Sequence, residues 1–146
     1  MLAATAGLCH GLPPPAPDAR FRARFRSHES AAMATIYKIC TADEWRVAIA
    51  DGVFRGSPAD LRDGFVHFST SEQMAETAAR YFAGHADLLL VAFDDAALGP
   101  GLRHEPSRGG ALFPHLYGPL DPATALWVEP LPLGGDGVHV FPDRTR

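Results

Sequence analysis

The chain has 146 residues, 47% of them hydrophobic, and a formal net charge of -4; this fits one packed domain and excludes a disordered chain. The acidic balance argues against bulk electrostatic binding to nucleic acid, which needs clustered Lys and Arg. Two cysteines, Cys9 and Cys40, make no disulfide framework and set a reducing, cytoplasmic compartment as the expectation; no apolar run reaches the roughly 20 residues of a membrane span.

Residues 1–32 read as a disordered Pro/Arg-rich extension, or as sequence upstream of a true start at Met33. Pro13, Pro14, Pro15 and Pro17 interrupt the segment, and Arg20, Arg22, Arg24 and Arg26 alternate with Phe21, Ala23 and Phe25. A secretory signal places its basic residues before its apolar stretch, and here the order is reversed. The Arg run has a competing reading as an organelle address or a nucleic-acid arm. Strand-like sequence begins just after Met33, so residues 33–146 are taken as a single α+β domain.

Residues 35–40 (TIYKIC) are β-branched and aromatic and predict a first strand. Thr41 and Glu44 form a capping box for a helix that carries Trp45, Ala48 and Ile49 and stops at Gly52. Ser57-Pro58 starts a short helical turn with Ser as N-cap, and Asp63-Gly64 marks a turn. Residues 65–69 (FVHFS) alternate as a second strand, with Phe65, His67 and Ser69 on one face. Thr70 and Gln73 make another capping box, opening a helix with Ala75, Ala78, Ala79 and Phe82 in register and an end at Gly84. Residues 88–93 (LLLVAF) predict a strand buried on both sides. A short strand is expected over 102–105, a loop over 106–110, a punctuated aromatic segment over 113–120 (FPHLYGPL) and a last strand over 125–130, with fraying after Gly134. Helices do not alternate strictly with strands, so α+β is expected rather than a doubly wound sheet.

Three clusters carry candidate chemistry. His67 and Ser69 project together just ahead of a helix start, whose free amides and dipole suit a phosphate; Thr70 adds a hydroxyl. The plain alternative is a core histidine beside an ordinary cap. His115 and Tyr117 share a face after Pro114 and either line a cleft or form a core wall. Arg103 and Glu105 share a face, with His104 opposite; Glu105 can orient a ribose hydroxyl or stabilise developing positive charge, or simply pair with Arg103 in solvent. Arg80 lies on the helix after the second strand as a ligand contact or a surface charge. His67, His104 and His115 show no ligand spacing for a metal, and no Walker loop, dinucleotide-binding glycine motif or nucleophile elbow is present.

IYKI near the start, GFVHFSTSEQ in the middle, LFPHLYGPL near the end and the closing apolar strand resemble the bacterial domain-of-unknown-function family 952, over roughly residues 35–132. That resemblance brings no activity. Its members are similar in fold to the ADP-ribosyltransferase superfamily, which implies small split antiparallel sheets with flanking helices and NAD in the cleft between them. The run from Val66 to Leu98 also resembles the middle of the tRNA 2′-phosphotransferases, which implies that His67, Ser69 and Arg80 face the ligand. Those enzymes carry an Arg-His pair near their start where this chain has Tyr37 and Lys38, and Lys offers no bidentate fork.

The expectation is therefore an ADP-ribosyltransferase-like domain binding NAD or a related phosphorylated nucleotide. His67 and Glu105 would be catalytic, and Ser69, Thr70, Arg80, His115 and Tyr117 would bind the ligand. The rivals are a non-catalytic nucleotide or metabolite module and a protein-partner domain with FPHLYG as its interface. A small-molecule ligand is expected as partner, with neither membrane nor nucleic acid.

Overall fold

A computed structural model of the chain describes residues 34–145. The expectations for residues 1–32 lie outside them. The described residues fall within one compact unit. Its elements in chain order are β1 (Thr35–Thr41), α1 (Ala42–Asp51), α2 (Pro58–Asp63), β2 (Val66–His67), α3 (Met74–Tyr81), β3 (Leu88–Asp94), β4 (Leu102–Pro106), β5 (Leu112–Leu116) and β6 (Trp127–Leu131).

The strands make two three-stranded antiparallel sheets, ordered β1-β3-β6 and β2-β5-β4. This is the expected α+β class, with small antiparallel sheets and flanking helices. The first sheet is buried on both faces. Ile36, Cys40, Val91 and Phe93 pack one way with Trp45 and Phe54, while Ile39, Leu90 and Leu131 pack the other way with Met74 and Ala78. The second sheet gives Val66 and Leu116 to the core, so its opposite face is left to the polar side chains.

The segment 65–69 does not stay in one sheet. Val66 and His67 pair with Leu116 and His115 of β5. Ser69 then crosses to β1, where it exchanges both backbone bonds with Tyr37, each 2.8 Å. That bridge joins the two sheets. Continued two residues further, the antiparallel register would set Ile39 against His67. Instead the carboxylate of Asp60 takes the His67 amide, with N to Oδ1 at 3.1 Å.

Local signals explain most boundaries. The Thr41–Glu44 capping box forms at both of its bonds, and Gly52 closes α1 in the left-handed region at φ 76°. The second expected box forms only in part. Gln73 Oε1 accepts from the Thr70 amide, but the helix begins at Met74 with no side-chain cap. The amides of Gln73 and Met74 are taken by the Thr70 carbonyl, which makes residues 71–73 a turn. The helix also ends earlier than Gly84, at Tyr81. The end of the chain is tied down beyond Gly134. His139 is buried, its Nε2 donates to the His85 carbonyl at 2.8 Å, and it bridges Leu133.

Candidate functional site

The polar face of the β2-β5-β4 sheet is built by strand alternation. His67, His115 and Arg103 stand side by side on neighbouring strands, because His67 pairs with His115 and His115 with Arg103. One step along, Glu105 pairs with Phe113. The His67 and His115 rings are 5.4 Å apart, edge to face. Phe65 covers both, stacking on His115 at 4.1 Å and tilting against His67 at 4.6 Å and Tyr117 at 5.1 Å.

Each histidine meets a carboxylate. Nδ1 of His115 is 2.8 Å from Glu105 Oε1, and the same oxygen accepts from the Tyr117 hydroxyl at 2.8 Å. These bonds, that of His115 first, hold the Glu105 carboxyl below its ordinary value, and the shared bond raises the Tyr117 phenol. Arg103 lies over the Tyr117 ring, 4.8 Å from its centre. Nδ1 of His67 is 2.6 Å from Asp60 Oδ1, and Nε2 is 3.0 Å from Asp63 Oδ2.

Asp60 is the residue that sequence reasoning missed. It is 2% exposed and accepts from Lys38 Nζ at 2.8 Å and from the Ser57 amide at 2.9 Å, besides the backbone amide and Nδ1 of His67. Burial pushes its carboxyl up, but the His67 bond, the Lys38 charge and the Ser57 amide outweigh it and hold the group well below the carboxylate range. Gly56 makes room for it: φ there is 118°, and a Cβ would come 2.7 Å from Asp60 Cβ. The one available signal was Asp three residues after Ser57, the N3 place of a capping box, which Asp60 also fills.

The expected site residues divide. His67, Glu105, His115 and Tyr117 come together. His115, however, is 4% exposed beneath Phe65, so it positions Glu105 and does not line an open cleft. Ser69 is buried, and its hydroxyl donates to Thr77 Oγ1 at 3.3 Å. The Ser69 amide is spent on Tyr37 and the Thr70 amide on Gln73, so the expected anion cradle over 69–73 is largely filled by the protein's own acceptors. Arg80 is on the exposed face of α3, paired with Glu76 at 2.8 Å.

Among the described residues no group of three or more His, Cys, Asp or Glu is placed to hold a metal ion, and no helix is long and apolar enough to cross a membrane. A concavity of about 320 Å³ is lined by Phe54, Arg55, Asp60, Leu61, Phe65 and Pro119 among others, and by neither histidine of the pair. Cys40 is buried, and burial pushes its thiol up to about 12.

A family model described as "Protein of unknown function (DUF952)" matches residues 39–128. The crystal structure of protein CC0527 from Caulobacter crescentus is 48% identical, with a TM-score of 0.73, covering 76% of this chain and 97% of that one. The solution NMR structure of the same Caulobacter protein is 50% identical, with a TM-score of 0.65, covering 71% of this chain and 90% of that one. Among the curated proteins none matches.

Proposed function

The chain belongs to the DUF952 family of proteins of unknown function, and within it we propose that this member binds NAD or a related phosphorylated nucleotide along the polar β2-β5-β4 face. Glu105 carries the reading. Its Oε1 is fixed by His115 and Tyr117, while Oε2 has no hydrogen-bond partner among the described residues. A fixed carboxylate with one open oxygen suits a ribose hydroxyl. The Tyr117 ring, 38% exposed and overlain by Arg103, offers a stacking surface and a cation beside it. Two small three-stranded sheets joined by the Tyr37–Ser69 bridge also support a likeness to the split sheets of the ADP-ribosyltransferase superfamily.

Bound there, NAD would supply a glycosidic bond to nicotinamide whose cleavage develops positive charge on the ribose. Glu105 would stabilise that charge at its open oxygen. Tyr117 and His115 would keep the carboxylate aimed. His67, held at Nδ1 by Asp60, would present Nε2 to an incoming acceptor once Asp63 turns away.

A second reading, binding without turnover, is favoured by one observation: both ring nitrogens of His67 already lie against carboxylates. Calorimetry with NAD and ADP-ribose tests the binding, and chromatography for released nicotinamide separates the two readings. Saturable heat that Glu105→Ala abolishes is expected. Absence of saturable heat from both ligands at millimolar concentration would sink the nucleotide reading.

A further inference from the structure

We infer that Arg108, with the Thr77 hydroxyl that Ser69 orients, forms a subsite for a phosphoryl group at the hairpin end of this same face. The inference rests on the nucleotide reading for its choice of ligand, but its geometry stands independently. Arg108 occupies the short 3₁₀ turn Arg108–Gly110 between β4 and β5. Its side chain is only 18% exposed. The guanidinium lies 4.8 Å from the centre of the Phe113 ring and 5.7 Å from that of Tyr81. Phe113 is two residues from His115 on β5, so strand alternation puts Arg108 over the same face as the histidine pair.

Burial of a charge is costly unless it is paired, and Arg108 is paired poorly. Its polar partners among the described residues are both distant: Thr77 Oγ1 at 3.4 Å from Nη2 and Glu76 Oε2 at 3.5 Å from Nε. That Glu76 oxygen makes its short bond, 2.8 Å, to Arg80. Glu76 thus satisfies the exposed Arg80, and the half-buried Arg108 is the guanidinium left without a close acceptor.

The hydroxyls add direction. Thr77 Oγ1 accepts from Ser69 Oγ and from Arg108 Nη2, and none of the described residues accepts its own proton. Two donors converging on one hydroxyl oxygen leave its O–H to point at a third group. A guanidinium fork and an outward hydroxyl match a tetrahedral phosphoryl group, for which Arg offers several donors at once. The anion position inferred from the sequence therefore moves from the amides of 69–73 to the side chains one helix turn further on.

The test is an NMR titration of the full chain with inorganic pyrophosphate, with acetate and adenosine as controls. Pyrophosphate should move the Arg108 Nε–Hε signal and the amides of Thr77 and residues 108–110. Arg108→Gln should weaken it at least tenfold, Thr77→Val several-fold and Arg80→Gln less than twofold. If Arg108→Gln does not fold, Arg108→Lys keeps the charge without the fork and should give an intermediate loss. Shifts centred on Arg103, equal losses from Arg80→Gln and Arg108→Gln, or acetate acting as strongly as pyrophosphate would each overturn the subsite. The two proposals fail differently. Arg108-dependent pyrophosphate binding with no response to NAD or ADP-ribose keeps the subsite and removes the nucleotide reading. ADP-ribose binding unchanged by Arg108→Gln does the reverse.

Discussion

Replacing Asp60 with Asn changes one atom and almost no volume, yet it should be among the most damaging substitutions in the domain. The buried carboxylate accepts four bonds, two at each oxygen. An amide keeps one oxygen and turns the other position into a donor. If the amide oxygen stays toward His67, its NH₂ faces Lys38 Nζ and the Ser57 amide; if it flips, it faces the two His67 donors. The first arrangement leaves Lys38, 3% exposed, as an unpaired buried cation. Breaking a buried pair in this way costs about 3–5 kcal/mol, which for a domain of this size lowers Tm by about 12–20 °C. Lys38→Met should cost less, because Asp60 keeps its other three donors. The double variant should be more stable than the two single losses added together, since no buried cation remains. Acid titration adds a second readout. Asp60 titrates lower in the folded chain than unfolded, so its contribution is complete above about pH 4 and is lost as pH falls below that. The acid slope of stability should therefore flatten in Asp60→Asn. Thermal and urea melts of the four proteins from pH 7 to pH 2 decide the matter. A loss under about 1 kcal/mol for Asp60→Asn, or strict additivity in the double variant, would refute the argument.

Gly56→Ala forces a Cβ to within 2.7 Å of Asp60 Cβ at a positive φ and should cost about 1–3 kcal/mol; a melt within error of the parent would mean that the 53–57 loop shifts freely. Glu105→Gln should lower the Tyr117 phenol toward about 10, because the carboxylate bond that raises it is gone; ultraviolet titration with Tyr117→Phe as reference reads this, and an unmoved phenol would place the Glu105 bond elsewhere. Thr41→Ala removes a cap that is formed at both bonds and should cost about 1 kcal/mol, measured by urea unfolding; no loss would show that α1 is held by Trp45 and Ala48 alone.

What could be read in the sequence was whatever depends on near neighbours. The Thr41–Glu44 box, the buried run at β3 and the alternation that aligns Arg103 with Glu105 and His115 with Tyr117 are properties of six or seven consecutive residues. Asp60 was not legible because its partners lie 7 and 22 residues away, and Ser-Pro-Ala-Asp already has a sufficient local meaning as a helix start. Phe65 was read as one residue of an alternating strand; its ring over His115 depends on β5, fifty positions along the chain. The Thr70 cap failed for a related reason: once Ser69 pairs with Tyr37, the chain enters the helix through a turn, and Thr70 contributes its carbonyl, not its hydroxyl. The same long-range pairing takes the Ser69 amide, and the turn that follows takes those of Thr70 and Gln73, which fills most of the anion cradle expected over 69–73. Arg108 looked like loop punctuation because its aromatic bed, Tyr81 and Phe113, comes from two other elements.

The interleaving of the sheets has a kinetic consequence. The first sheet takes strands one, three and six, and the second takes two, four and five. Only the β4-β5 hairpin closes over a short stretch of chain; β1 must find β3, and β2 must find β5, across some fifty residues each. Loop closure rises slowly in cost with length but is met before the contacts that repay it. The hairpin carrying Arg103, Glu105, Arg108, His115 and Tyr117 is thus the natural nucleus, and β2 with His67 docks onto it late. A ribosome releasing this chain would hold β2 unpaired until residue 116 had emerged, so His67 waits for partners made some fifty residues after it.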